Sequence, residues 1–291
     1  MSSIFNLFRS SSASDFSLPY ARKTADWNIV LWLLVPAWLL FWLWTNPPHG
    51  FDLAFEHQFY VNNAWPLHAD GRIEFWLHFM PKVISGVLFA CVLGALTYLH
   101  QCRRAAVILG DHEDAAHCNL ILSRLYYAVG AALLCVGLLW WLKQSTGVSC
   151  PWSVTEFGGS AAVVDPGLPL LPKPGRCWPS GAAGSGFCLL PLYFAFRDFS
   201  LLLALALLSG FGAGFARVVV GAHFPSHVFA ALALDWLISA GIYIAAFDRA
   251  GLVRKLRALL SFGRRSTEDQ PGRVTLYLFT SLWWAIVFNG P

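Results

Sequence analysis

Charge is scarce in this sequence: Asp, Glu, Lys and Arg make up 12% of 291 residues, whereas hydrophobic residues make up 57%. So little polar surface cannot cover a soluble globule, and a mean hydropathy of +0.55 points the same way. No basic patch interleaved with aromatics is present. The net charge of +4 is gathered in a few segments, so it speaks to orientation in a membrane and excludes a nucleic-acid partner. The HExxH pattern of a metal helix is also missing, since the run HEDAAH from His112 to His117 has a different spacing and reads as a polar cytoplasmic connection. His49, Asp52, Glu56, His57, His68, Asp70 and Glu74 are too irregularly spaced for a metal site, and they are expected to be solvated loop surface. Residues 1–26 lack the apolar core and small-residue cleavage site of a signal peptide. They are expected to form a cytoplasmic arm.

What is abundant is long apolar runs. Six of them, at about 27–44, 75–99, 120–142, 182–196, 199–220 and 224–247, approach the ~20 residues that a bilayer-crossing helix needs. The expected fold is therefore all-α, a polytopic membrane bundle with six core transmembrane helices over 27–247. Residues 248–291 add a basic cytoplasmic segment and a last apolar run, 274–288, which is open to spanning, lying in the interface or packing on the bundle. Arg22 and Lys23 precede the first run, and the loop after it (45–74) has Arg72 as its single basic residue. Seven Lys/Arg against three acids in 248–273 mark the other end as cytoplasmic, so both termini are expected inside.

Between Phe215 and Trp236 an arginine, a glycine and two histidines (Arg217, Gly221, His223 and His227) fall in the seam between two apolar runs. A charged group at a membrane seam points to function. Arg217 offers a planar fork for phosphate oxygens and His223 a nucleophile. Counting turns brings two distant places to the same external face. One is Lys143, at the end of the third run. The other is the WPSG segment, where Ser180 caps a helix whose N–H groups suit an anion. Residues 143–181 are Pro- and Gly-rich and read as an irregular loop. Gly210 and Gly214 form a GxxxG pair suited to close helix packing. Five cysteines (Cys91, Cys102, Cys118, Cys135 and Cys188) fall in or near spans or on the cytoplasmic side, where free thiols are expected. Cys150 and Cys177 share the external loop, either as a disulfide or as two thiols facing the bundle.

In these residues the chain resembles the type 2 phosphatidic acid phosphatase (PAP2) superfamily of membrane phosphatases, with motifs Lys-x6-Arg-Pro, Pro-Ser-Gly-His and Ser-Arg-x5-His-x3-Asp. The first is Lys143 to Pro151 with Cys150 at the Arg place. The second is Pro179, Ser180, Gly181 and Ala182. The third is Ala216, Arg217 and His223, with His227 at the Asp place. The CPW and GAHFPSH forms look like those of bacterial branches acting on lipid phosphates, lipid A phosphatases among them.

The resemblance implies two-step phosphoryl transfer through a phosphohistidine on His223. Lys143, Arg217 and backbone N–H groups at Ser180 and Gly181 would hold the phosphate, and His227 would stand in as the group orienting His223. It implies no metal and no cofactor, and a lipid phosphate at the external face of a bacterial inner membrane as partner. Oligomeric state has no signal in the sequence. Ala182 occupies the place of the general-acid His. That leaves either a phosphatase carrying an introduced, inactivating change or a binding protein that has lost catalysis. A transporter fits less well, because the ionisable groups gather at one face and line no path.

Overall fold

The computed structural model describes residues 28–68, 71–164, 175–197 and 199–248, with Val253. The expected arm at 1–26, Asp70, and the basic segment and apolar run beyond 253 lie outside them.

Among the described residues the chain is helical, with two isolated β-bridges (Val61 with Ala64, Val154 with Ala161) and no strand. In order, the helices are α1 (Asn28–Thr45), α2 (His49–Glu56), α3 (Met80–Ile108), α4 (His112–Ser145), α5 (Gly181–Phe187), α6 (Leu190–Ala195), α7 (Ser200–Val218) and α8 (Pro225–Phe247). A single turn, Gly71–Ile73, and a π-helical stretch, Glu74–Phe79, lead into α3. The functional residues discussed below all lie within one compact unit, Val30–Tyr243.

Among the described residues, four helices are long and apolar enough to cross a membrane: α3 from Val83, α4, α7 and α8. The expectation of six is met only in part. Leu31–Thr45 in α1 and Gly181–Ala195 across α5 and α6 are shorter apolar helices. The second of these covers roughly 22 Å at 1.5 Å per residue, short of a ~30 Å hydrocarbon core. It is also broken. Cys188 and Leu189 make a tight turn, Leu189 N–H donating to the Gly186 carbonyl at 3.3 Å, and Pro191 starts the next helix where its missing N–H is harmless.

The HEDAAH run is corrected as well: it is no connection but the first turns of α4. The Asp111 carboxylate accepts from Asp114 N–H at 3.0 Å, and Glu113 and Asp114 stand in the first turn, where negative charge suits the helix dipole. The polar letters that argue against a membrane span are the ones that argue for a helix start. Arg103 then donates to Asn119 Oδ1 at 3.1 Å, joining α3 to α4.

The core sits where α4, α5, α7 and α8 meet, around Leu139, Ala183, Phe187, Leu190, Val218 and Val228. Lipid tails solvate such side chains as well as protein does, so close packing rather than water exclusion holds these helices together. The glycines show how close it is. A Cβ on Gly186 would lie 2.4 Å from the backbone of Gly210, and one on Gly210 would lie 2.1 Å from the Phe187 ring. Tyr127 on α4 donates to the Ser239 carbonyl on α8 at 2.7 Å. At the other end of α6, Arg197 lies 3.8 Å from the centroid of the Trp32 ring and 4.8 Å from that of Tyr243, a cation–π contact that joins α1, α6 and α8.

Candidate active site

α7 ends at Val218 and α8 begins at Pro225, so six residues make the turn between them. Gly221 makes this turn possible. Its φ is +74°, and a Cβ there would lie 2.4 Å from the Trp65 indole, so both backbone conformation and space require glycine. The turn folds back onto Arg217, whose carbonyl accepts from the N–H groups of Ala222 at 2.8 Å and His223 at 3.2 Å. His223 is thereby fixed over the end of the helix that carries Arg217.

The imidazole of His223 is buried, and its Nδ1 lies 2.8 Å from the carbonyl oxygen of Cys177. A carbonyl only accepts, so Nδ1 carries the proton and the lone pair is on Nε2. Burial pushes the imidazole below its ordinary pKa. The charges of His227, Lys143 and Arg217 act in the same direction, and the hydrogen bond to Cys177 opposes them. A neutral ring with a free Nε2 lone pair is the form a nucleophile needs.

Lys143 stands in the last turn of α4, where a cation is favoured by the helix C-terminus. Its Nζ lies 3.7 Å from where a Cβ on Gly181 would be, so the ammonium group reaches the start of α5. Ser180 caps that start, its Oγ accepting from Ala183 N–H at 3.4 Å. The N–H of Ser180 itself is already committed, donating to the His227 carbonyl at 3.0 Å. The phosphate contact expected from Ser180 N–H is therefore replaced: in the first turn, Gly181 and Ala182 are the residues whose N–H groups have no intrahelical acceptor. The Arg217 guanidinium lies 5.8 Å from the Trp152 ring centroid.

His227 is buried one turn below His223, with ring centroids 6.0 Å apart at 73°. The hydrogen bond expected between the two rings does not form. The proton on His223 Nδ1 goes to the Cys177 carbonyl instead, and among the described residues His227 Nδ1 has no hydrogen-bond partner. Ala182 is buried at the second position of α5 and brings no proton donor. Cys150 and Cys177 are joined by a disulfide, with Cα atoms 5.3 Å apart and a sequence separation of 27. Among the described residues, no three of His, Cys, Asp and Glu are placed to hold a metal ion.

Two groups escaped the sequence reading. The Cys177 carbonyl leaves no mark in a sequence. Asp52 does leave one, and the reading of Asp52 and Glu56 as solvated surface is overturned, because both are buried. They stand one turn apart on α2 among Phe51, Leu53 and Phe55, an apolar setting that a solvated loop does not need. Asp52 accepts from the backbone N–H of Ser226 at 3.0 Å and from the Ser226 hydroxyl, satisfying the first turn of the helix that bears His227. Burial raises its pKa to about 6, opposed by the two Ser226 hydrogen bonds and the charge of His49. Glu56 finds no hydrogen-bond partner among the described residues, and burial together with the Asp52 charge raises it to about 9. It is neutral at physiological pH.

A helical membrane-type protein with a buried neutral histidine, two cationic side chains and free helix N–H groups at one end is built to handle an anion. The comparison with known families agrees. Residues 122–250 match the family model of the PAP2 superfamily, a match that suggests phosphatase-type function at the level of the family. No curated protein and no solved structure matches the chain.

Proposed function

We propose that this chain is a membrane lipid phosphate phosphatase of PAP2 type, in which His223 is the nucleophile and Ala182 leaves the leaving group without a proton donor. The observation that carries this reading is the state of His223: buried and neutral, with Nδ1–H engaged by Cys177 and Lys143 and Arg217 in electrostatic reach. Nε2 attacks phosphorus, the bond to the leaving alcohol breaks, and a phosphohistidine forms. Water then attacks phosphorus, the P–N bond breaks, and inorganic phosphate leaves. Lys143, Arg217 and the N–H groups of Gly181 and Ala182 stabilise the equatorial oxygens. With Cys150 in a disulfide at the place of the superfamily's Arg, the cage has one guanidinium fewer. A monophosphate therefore suits it better than a pyrophosphate.

The membrane-type helices favour an amphiphile whose phosphate lies at headgroup depth, such as lipid A, a polyprenyl phosphate or a phosphatidyl phosphate. The basic-residue pattern supports a site on the external face, and the likeness of the CPW and GAHFPSH forms to those of bacterial lipid phosphatases supports a bacterial inner membrane. A second reading, a protein that binds lipid phosphate without turnover, is favoured by Ala182 alone. Ala182→His tests the two. Phosphate release from detergent-solubilised lipid phosphates is expected to rise at least ~10²-fold, as returning a general acid typically gives. If the variant stays folded, binds vanadate and releases no phosphate from any of the three lipids, the binding reading replaces the phosphatase.

A further inference from the structure

The group that orients His223 is a loop carbonyl, and a carbonyl is only as well placed as the loop that holds it. Three contacts hold Cys177. Its N–H donates to the Val148 carbonyl at 3.1 Å. Its Sγ lies 3.3 Å from the carbonyl oxygen of Ala222, the residue before the nucleophile. Its side chain is bonded to Cys150. Cys150 is anchored in turn: its N–H donates to Ser153 Oγ at 3.1 Å, and its carbonyl accepts from the same hydroxyl at 2.7 Å. Trp152, two residues on, donates its N–H to the Gly221 carbonyl at 2.9 Å. A closed circuit results, running from the α7–α8 turn through Trp152 and Cys150, across the disulfide to Cys177, and back to His223.

We infer that the Cys150–Cys177 disulfide is a positioning device for the nucleophile: it holds the carbonyl that fixes His223 with its proton on Nδ1, so that reducing the bond disables the site while the helix bundle stays folded. This deepens the proposed function and rests on it. The core around Phe187, Leu190 and Val228 contains neither cysteine, so the bundle does not depend on the bond. Cys150 is partly exposed and Cys177 is buried, so an external dithiol reaches Cys150 first. Its thiolate attacks Cys150 Sγ and displaces the Cys177 thiolate. The second thiol of the reagent then closes on the mixed disulfide. Two electrons pass to the protein, two cysteine thiols are released, and the dithiol leaves oxidised.

The test uses the full chain in detergent, before and after dithiothreitol, with ¹⁵N-labelled histidine and His223→Gln to assign the resonance. The oxidised protein is expected to show one His223 tautomer, protonated at Nδ1. Reduction should mix the tautomers and weaken vanadate binding roughly tenfold, in keeping with the loss of one buried hydrogen bond, with helical circular dichroism unchanged. Cys150→Ser with Cys177→Ser should behave as the reduced protein whether or not dithiothreitol is present. Should the double variant fail to fold, reduction of the folded protein decides alone. A reduced protein that keeps a single Nδ1–H tautomer and its vanadate affinity overturns the inference, and so does one that loses its helicity, which would make the bond a structural staple. If the oxidised protein binds no vanadate, the phosphatase reading fails and the tautomer measurement still decides the role of the disulfide.

Discussion

The best membrane-crossing stretches of α3 and α8 are equally apolar, yet 56% of that stretch is buried within the protein in α8 against 6% in α3. Hydropathy finds both and cannot tell them apart. What separates them is the minority of residues. α8 opens with Ser226 and His227, continues through closely spaced alanines and carries Asp235 and Ser239, and each of these faces protein and is buried. α3 presents Ile84, Val87, Phe89 and Leu93 outward, where lipid would meet them. In a bilayer, where apolar side chains are at home on either side, small and polar residues decide which helices pack inside.

The glycines give the sharpest way to break this comparison. Gly210→Val on α7 puts a side chain where a Cβ alone would be 2.1 Å from the Phe187 ring. It is expected to cost more than ~3 kcal/mol, or to prevent folding, as overpacking in a tight core does. Loss of the monodisperse peak in size-exclusion chromatography would report it.

Glu56 comes next. Its folded pKa of about 9 stands above the ordinary 4.5, so the folded state holds its proton more tightly than the unfolded state. The stability this gives is full below pH 4.5 and is lost as pH rises toward 9. Glu56→Gln should flatten the fall of Tm between those values and raise Tm by several degrees at pH 9. An unchanged pH slope would mean that Glu56 is not the group responsible.

A smaller effect is expected from Asp52→Ala, which removes the cap on α8. It should lower stability by ~1–2 kcal/mol, with Asp52→Asn recovering most of the loss because an amide oxygen still accepts from Ser226. Smallest is the change on α3. Among the described residues nothing lies within 4 Å of a Cβ at Gly86 or Gly94, so Gly94→Ala should be neutral or stabilise by up to ~1 kcal/mol through helix propensity. A destabilised Gly94→Ala protein would place α3 in a packed interface and undo the contrast with α8.

The same contrast governs what could be read in advance. Apolar length located α3, α4, α7 and α8, because a 3.6-residue helix with no water to bond has few alternatives. The break at Cys188 and Leu189 was harder to see, since it depends on how Gly186 and Pro191 share a turn already crowded by Gly210. At the site, Lys143, Gly181, Arg217 and His223 come together in the structure. Side chains that carry charge must be spelled in the sequence. The Cys177 carbonyl and the Ser180 N–H are backbone groups that side-chain identity does not distinguish, and only the folded loop reveals what they bond. Asp52 is buried among its apolar neighbours Phe51, Leu53 and Phe55, a signal that the spacing of the acids and histidines does not carry.

Leaving-group dependence tests the central claim most directly: the chain keeps its nucleophile and phosphate cage and lacks its general acid. The leaving group of p-nitrophenyl phosphate departs as a stabilised phenolate and needs no proton, whereas the alkoxide of an alkyl lipid phosphate does. Rates of p-nitrophenyl phosphate and lipid phosphate hydrolysis should be measured for the parent chain, His223→Ala and Ala182→His. The parent is expected to cleave the aryl ester by way of His223 and to leave the lipid almost untouched. Ala182→His should raise the lipid rate at least ~10²-fold and the aryl rate far less, and His223→Ala should abolish aryl cleavage. Equal gains on both substrates, or aryl cleavage that survives His223→Ala, would contradict the account.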